Sequence, residues 1–82
     1  MEMSNWKKTL AKLMTGQSDA NIAYEDLCNL LNRLGYFSKQ SGSHNIFRKP
    51  GFDLINLQNS GGKARPYQVR QVRDQLKAQT LP

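Results

Sequence analysis

Gly42-Ser43-His44 places the only histidine of an 82-residue chain directly behind a glycine and a serine. It opens a run, Asn45-Ile46-Phe47-Arg48-Lys49, that reads as a β-strand. Imidazole changes charge close to neutral pH, so it can take and give a proton there. A proton-transfer group beside Arg48 and Lys49 suits chemistry at a phosphate; the plain alternative is an ordinary surface or hydrogen-bonded histidine. Alternation puts His44, Ile46 and Arg48 on one face of the strand and Asn45, Phe47 and Lys49 on the other, so that one of Ile46 and Phe47 faces away from the core. His44 and Arg48 then stand about 13 Å apart along the strand, too far to grip one phosphate from the backbone, although a long arginine can lean inward. Gly42 permits a positive φ or the close approach of a backbone, and equally an ordinary hairpin turn, while Ser43 offers a hydroxyl to a phosphate.

Charge points the same way. The formal net charge is +6, and its distribution is uneven. Residues 1–32 carry three lysines against four carboxylates, whereas from Arg33 onward nine Lys/Arg face only Asp53 and Asp74. All the excess positive charge therefore lies in the part that holds His44. That asymmetry favours a polyanionic partner, nucleic acid before a membrane surface, because no amphipathic helix pairs the charge with a broad aromatic face. Metal-assisted hydrolysis is disfavoured, since Asp53 and Asp74 fall on different elements and no Cys/His group has metal-ligand spacing. RNA brings its own nucleophile, the ribose 2′-hydroxyl, so a basic protein needs only to position the strand, exchange protons and stabilise charge on phosphorus. His44 can fill one proton-transfer role; Tyr67, a lysine or water is left for the other.

The elements that must position these residues can be read from periodicity. The length fits one small domain with a single apolar core. Ser4 is a candidate N-cap for a helix over about residues 5–15, with Trp6, Leu10 and Leu13 on one face and Gly16 closing it. After a polar connector, Tyr24, Leu27, Cys28, Leu31 and Leu34 recur at helical spacing up to Gly35. Cys28 falls in this stripe and reads as a small core residue. Strand-like runs follow at Tyr36–Gln40, His44–Lys49 and Phe52–Gln58, separated by Ser41-Gly42 and Pro50-Gly51. They predict a three-stranded antiparallel meander covered on one face by the helix from Tyr24 to Leu34. Residues 59–65 read as a flexible basic loop containing Lys63 and Arg65. Pro66 then opens a last helix with the apolar stripe Val69, Val72 and Leu76.

Along that helix Arg70, Arg73 and Lys77 form either a basic ridge or a solvated face. No acidic residue occupies its first turn, so its N-terminus, with Lys63 and Arg65, is open to a phosphate. The pattern is α+β, ordered α-α-β-β-β-α, with residues 1–21 as an N-terminal helical extension and connector before a unit at 22–82. A single cysteine and the lack of any apolar run approaching ~20 residues point to a reducing cytoplasm rather than an oxidised or membrane setting.

Leu27-Cys28-Asn29-Leu30-Leu31-Asn32-Arg33-Leu34-Gly35-Tyr36, followed by Gly42-Ser43-His44-Asn45-Ile46-Phe47-Arg48, resembles the HicA toxins of bacterial type II toxin–antitoxin pairs. The similarity extends through most of residues 22–79. The resemblance implies a fold like that of double-stranded-RNA-binding domains (dsRBDs), mRNA cleavage by an endoribonuclease without cofactor or metal, and neutralisation by a HicB-type antitoxin. It implies that His44 takes the place of the catalytic histidine, with Gly42 and Ser43 as its flanking pair. This chain departs from the family in its roughly twenty extra N-terminal residues. It also carries Ile55–Lys63 where many members have a proline- and histidine-containing segment.

The resulting expectation is a HicA-like ribonuclease that binds mRNA through Gly42, Ser43, Arg48, Lys49, Lys63, Arg65, Arg70 and Arg73, with His44 as acid/base. The alternatives are a non-catalytic RNA-binding module of the same fold, and an interaction protein whose basic face docks an acidic antitoxin.

Overall fold

The computed structural model of the chain describes residues 5–80. Its helices are α1 (Asn5–Thr15), α2 (Tyr24–Arg33) and α3 (Pro66–Thr80), with a 3₁₀ turn at Asp19–Asn21 between the first two. The strands β1 (Phe37–Ser41), β2 (His44–Arg48), β3 (Ile55–Ser60) and β4 (Lys63–Ala64) form one open antiparallel sheet in sequence order. The chain is thus α+β, with the expected helices and meander. The Ser4 cap lies outside the described residues.

The sheet has four strands where the sequence predicts three. Residues 59–65, expected as a flexible loop, instead finish β3, turn at Gly61-Gly62 and pair again as β4. Both turn glycines have positive φ, 63° and 90°, the sign pattern of the two-residue hairpin turns that match strand twist. This short strand owes its existence to a distant segment. Ala64 N–H donates to Ile22 O at 3.0 Å, and Tyr24 N–H donates to Gly62 O at 3.0 Å. Those bonds also begin α2, whose N-cap position is Ala23 and has no side-chain cap. The third strand starts later than its apolar run suggests, because Phe52 N–H closes a turn onto Lys49 O at 3.0 Å.

Only one sheet face is covered. Phe47 and Ile55 stand opposite each other, and with Leu57 they are fully buried against Leu27, Leu30 and Leu31 of α2 and Val69 and Val72 of α3. Leu13 of α1 is 0% exposed and joins the same core, so the N-terminal segment packs with the rest rather than hanging beside it. Cys28 is buried here as expected, and burial pushes its thiol pKa up.

α3 is fastened through a row of glutamines at 68, 71, 75 and 79, spaced to fall along one stripe of the helix. Gln68 Oε1 accepts from Gln58 N–H at 2.8 Å, and the amides of Gln71 and Gln75 donate to Leu54 O and Asp53 O at 3.5 and 3.0 Å. The buried Tyr36 hydroxyl donates to Gln75 Oε1 and accepts from Gln79 Nε2. On its other flank α3 is held by Arg73, whose guanidinium donates to both carboxylate oxygens of Asp19, at 2.7 and 3.2 Å, and to Leu13 O at 3.3 Å. The side chains of the pair are only 12% and 17% exposed, so solvent screens it less than a surface bridge.

Two expectations follow for stability. Leu13→Ala should cost about 2–5 kcal/mol by urea denaturation; a loss of only a few tenths would mean that α1 lies outside the cooperative unit. The hydrogen bond from Arg73 holds the Asp19 carboxyl below its ordinary value. A depressed folded-state pKa stabilises above the unfolded value and is lost as pH falls through the folded one. Wild type should therefore lose more stability than Asp19→Asn between about pH 5 and pH 2. Parallel pH profiles would mean that the pair contributes nothing.

Candidate functional site

His44 begins β2 directly after the two-residue turn Gly42-Ser43, which joins Ser41 to its cross-strand partner His44. Gly42 has φ +62°, while Ser43 does not have a positive φ, the sign pattern of a type II′ hairpin turn. A Cβ at Gly42 would meet nothing within 4 Å, so this glycine is required by backbone conformation and not by close approach. With Phe47 in the core, alternation turns His44, Ile46 and Arg48 to the uncovered face.

The imidazole is half-buried and oriented by β3. Its Nδ1 lies 3.2 Å from Asn56 Oδ1. A carboxamide oxygen only accepts, so Nδ1 carries the proton of the neutral ring and the lone pair is on Nε2. Gln58 stands directly opposite His44. Its side-chain carbonyl accepts from Arg65 Nε at 3.1 Å, which draws the guanidinium toward the histidine's neighbour and leaves the two Nη groups of its fork for another acceptor. Histidine, carboxamides and arginine thus form one cluster, able to exchange a proton and to hold an anion.

The rest of this face is basic and partly apolar. Phe37 stands opposite Arg48, and Lys39 opposite Ile46. Phe37, Lys39 and Arg48 are all exposed. None of the four strands contains an aspartate or glutamate.

The cations expected to bind RNA are divided by the structure. Gly42, Ser43 and Arg48 share the hairpin with His44, and Arg65 joins them through Gln58. Lys49 is on the opposite face, as alternation predicts. Its Nζ donates to Leu34 O at 2.9 Å and to Gln79 Oε1 at 3.2 Å, and lies 5.4 Å from the ring centroids of Tyr36 and Phe52. It therefore closes the C-terminal end of α2 against α3. Lys63 Nζ turns to Asn21 Oδ1 at 3.1 Å. Arg73 is engaged with Asp19, so the α3 ridge is not a uniform basic surface. Arg70 remains exposed, in an open groove of about 630 Å³ that also includes Asp53, Asp74 and Tyr67. The Tyr67 hydroxyl accepts from Gln68 Nε2 at 3.4 Å.

Comparison with family models, with curated proteins and with solved structures gives no match, so the chemistry of this face has to be read from its own residues. Among the described residues no helix is long and apolar enough to cross a membrane, and no group of three or more His, Cys, Asp or Glu could hold a metal ion.

Sequence reasoning missed Asn56 and Gln58. Their signal was present in Ile55-Asn56-Leu57-Gln58, where apolar and polar residues alternate in a strand whose partner face is set by Phe47.

The division of cations has a measurable counterpart. If RNA lies on the open face, Arg48→Ala and Arg65→Ala should each reduce the slope of log affinity against log salt by about one phosphate equivalent. Arg73→Ala should leave that slope unchanged and lower stability by about 1–3 kcal/mol instead. The opposite result would place the RNA on α3.

Proposed function

We propose that this protein is a HicA-like endoribonuclease toxin, working without a metal, in which His44 exchanges protons with the substrate and Arg65 stabilises the charge on phosphorus. The observation that carries this reading is the pairing of His44 with Asn56, which leaves Nε2 to act on an uncovered face beside an arginine. The similarity of Leu27–Tyr36 and Gly42–Arg48 to the family motif supports it. So does the order of elements from Tyr24 to Thr80, read as a dsRBD-like fold to which β4 is a short addition.

In the proposed reaction Nε2 takes the proton of a ribose 2′-hydroxyl. The 2′-oxygen forms a bond to the adjacent phosphorus, and the bond from phosphorus to the 5′-oxygen breaks. The leaving oxygen receives a proton from a second donor, and the products are a 2′,3′-cyclic phosphate and a 5′-hydroxyl. Charge that grows on the non-bridging oxygens meets the Nη groups of Arg65. Asn56 acts through the histidine by fixing its tautomer and ring orientation.

The proposed setting is a reducing cytoplasm, with mRNA as substrate and a HicB-type antitoxin as inhibitor. Such a partner would cover His44 and meet Arg48 and Arg65 with carboxylates, since complementary charge speeds encounter.

His44→Ala should lower cleavage of a defined RNA by about 10²–10⁴-fold, with a chelator present, while the fold and most RNA affinity persist. Asn56→Ala should weaken cleavage less and leave binding intact. Equal cleavage by wild type and His44→Ala would remove the catalytic assignment. RNA binding without cleavage by either would favour a non-catalytic RNA-binding module.

A further inference from the structure

Tyr36 and Phe37 are consecutive aromatics at the entry to β1, and they meet opposite fates. Tyr36 is 3% exposed, with its hydroxyl held between Gln75 and Gln79, whereas Phe37 is 72% exposed. Phe37 lies on the edge strand, every residue of which is exposed, and its cross-strand partner is Arg48. Lys39 follows it on the same face, opposite the half-buried Ile46.

We propose that Phe37 is a stacking platform for a base of single-stranded RNA, set beside the proton-transfer site and flanked by Lys39 and Arg48 as phosphate contacts. This inference rests on the reading of the His44 face as an RNA surface and specifies the form of RNA that it holds. A single exposed apolar side chain is ordinary on a protein surface. The neighbours of this one give it meaning: Arg48 stands opposite it and Lys39 two residues along the same face, and no strand residue carries the opposite charge. An exposed planar ring with cations at neighbouring positions matches a nucleotide, whose base stacks on the ring while its phosphates meet the cations. A duplex keeps its base faces inside the stack and cannot use the ring, so the occupant is an unpaired strand.

The register sets the distance to the chemistry. Phe37 is aligned with Arg48, and Ser41 with His44, so ring and imidazole are separated by four residues, about 13 Å along the sheet. Phe37 therefore holds the strand to one side of the scissile phosphate and contacts none of the reacting atoms. Its loss should raise KM and leave kcat nearly unchanged.

The test measures binding in the His44→Ala background, with a single-stranded oligoribonucleotide bearing 2-aminopurine and with a duplex of the same length. Single-strand binding should quench the fluorophore. Phe37→Ala should weaken single-strand affinity roughly 5- to 150-fold without altering the salt slope, and Phe37→Trp should restore it. Duplex affinity should not respond to either change. Phe37→Leu, which keeps an apolar side chain without a π face, separates stacking from general burial and should behave like alanine. Single-strand affinity unchanged in both Phe37→Ala and Phe37→Leu would overturn the platform and leave the nuclease reading standing. Failure of the parent protein to bind either RNA would overturn both.

Discussion

The burial of Phe47 decides where His44 points. Phe47 and Ile55 face each other at 0% exposure, and a slip of one residue in either strand would exchange the covered and uncovered faces. A chain of 82 residues has apolar material for one core, and its helices cover one side of the sheet only. The strand residues out of phase with Phe47 are consequently turned to the uncovered face, and these include His44, Arg48, Lys39 and Phe37. The candidate site is thus a product of the core's register. Two-residue turns at Gly42-Ser43 and Gly61-Gly62 leave little slack for that register to drift.

Much of this frame is legible in the amino-acid sequence. The stripe from Tyr24 to Leu34, the Gly42-Ser43 turn, and Pro66 at the start of α3 each have a local physical cause that a short window of sequence contains. What was not legible depends on residues far apart. β4 is held by Ile22, whose carbonyl accepts from Ala64 N–H, and by Tyr24, whose N–H donates to Gly62 O in the turn before it, and no local run of two residues announces such a strand. The glutamines of α3 carry no local mark of their role, because their partners are loop carbonyls, a backbone amide, a tyrosine hydroxyl and a lysine from other elements.

The cations show the same limit. The sequence groups Lys49, Lys63 and Arg73 with Arg48 and Arg65, because charge is visible in sequence while its partner is not. Arg73 meets Asp19 across 54 residues of chain, and Lys49 reaches Leu34 across 15. Each of the three has a partner on another element, and the cations that share the face of His44 are those of the hairpin and Arg65. Alternation had already separated Lys49 from His44, so that part of the division was available from spacing alone.

The amide fastening of α3 has a consequence of its own. Carboxamides do not titrate and carry no net charge for dissolved ions to screen. Gln68, Gln71 and Gln75 join the helix to β3 and to the loop before it through uncharged partners, and a cation, Lys49, enters the stripe only at Gln79, while the other face of the sheet carries Lys39, Arg48 and Arg65. A change of charge on that face finds no ionised group to act on in the bonds of Gln68, Gln71 and Gln75. Of the ties that hold α3, those made by Lys49 and by the Arg73–Asp19 pair are therefore the ones exposed to a change of charge, and those made by Gln68, Gln71 and Gln75 are not.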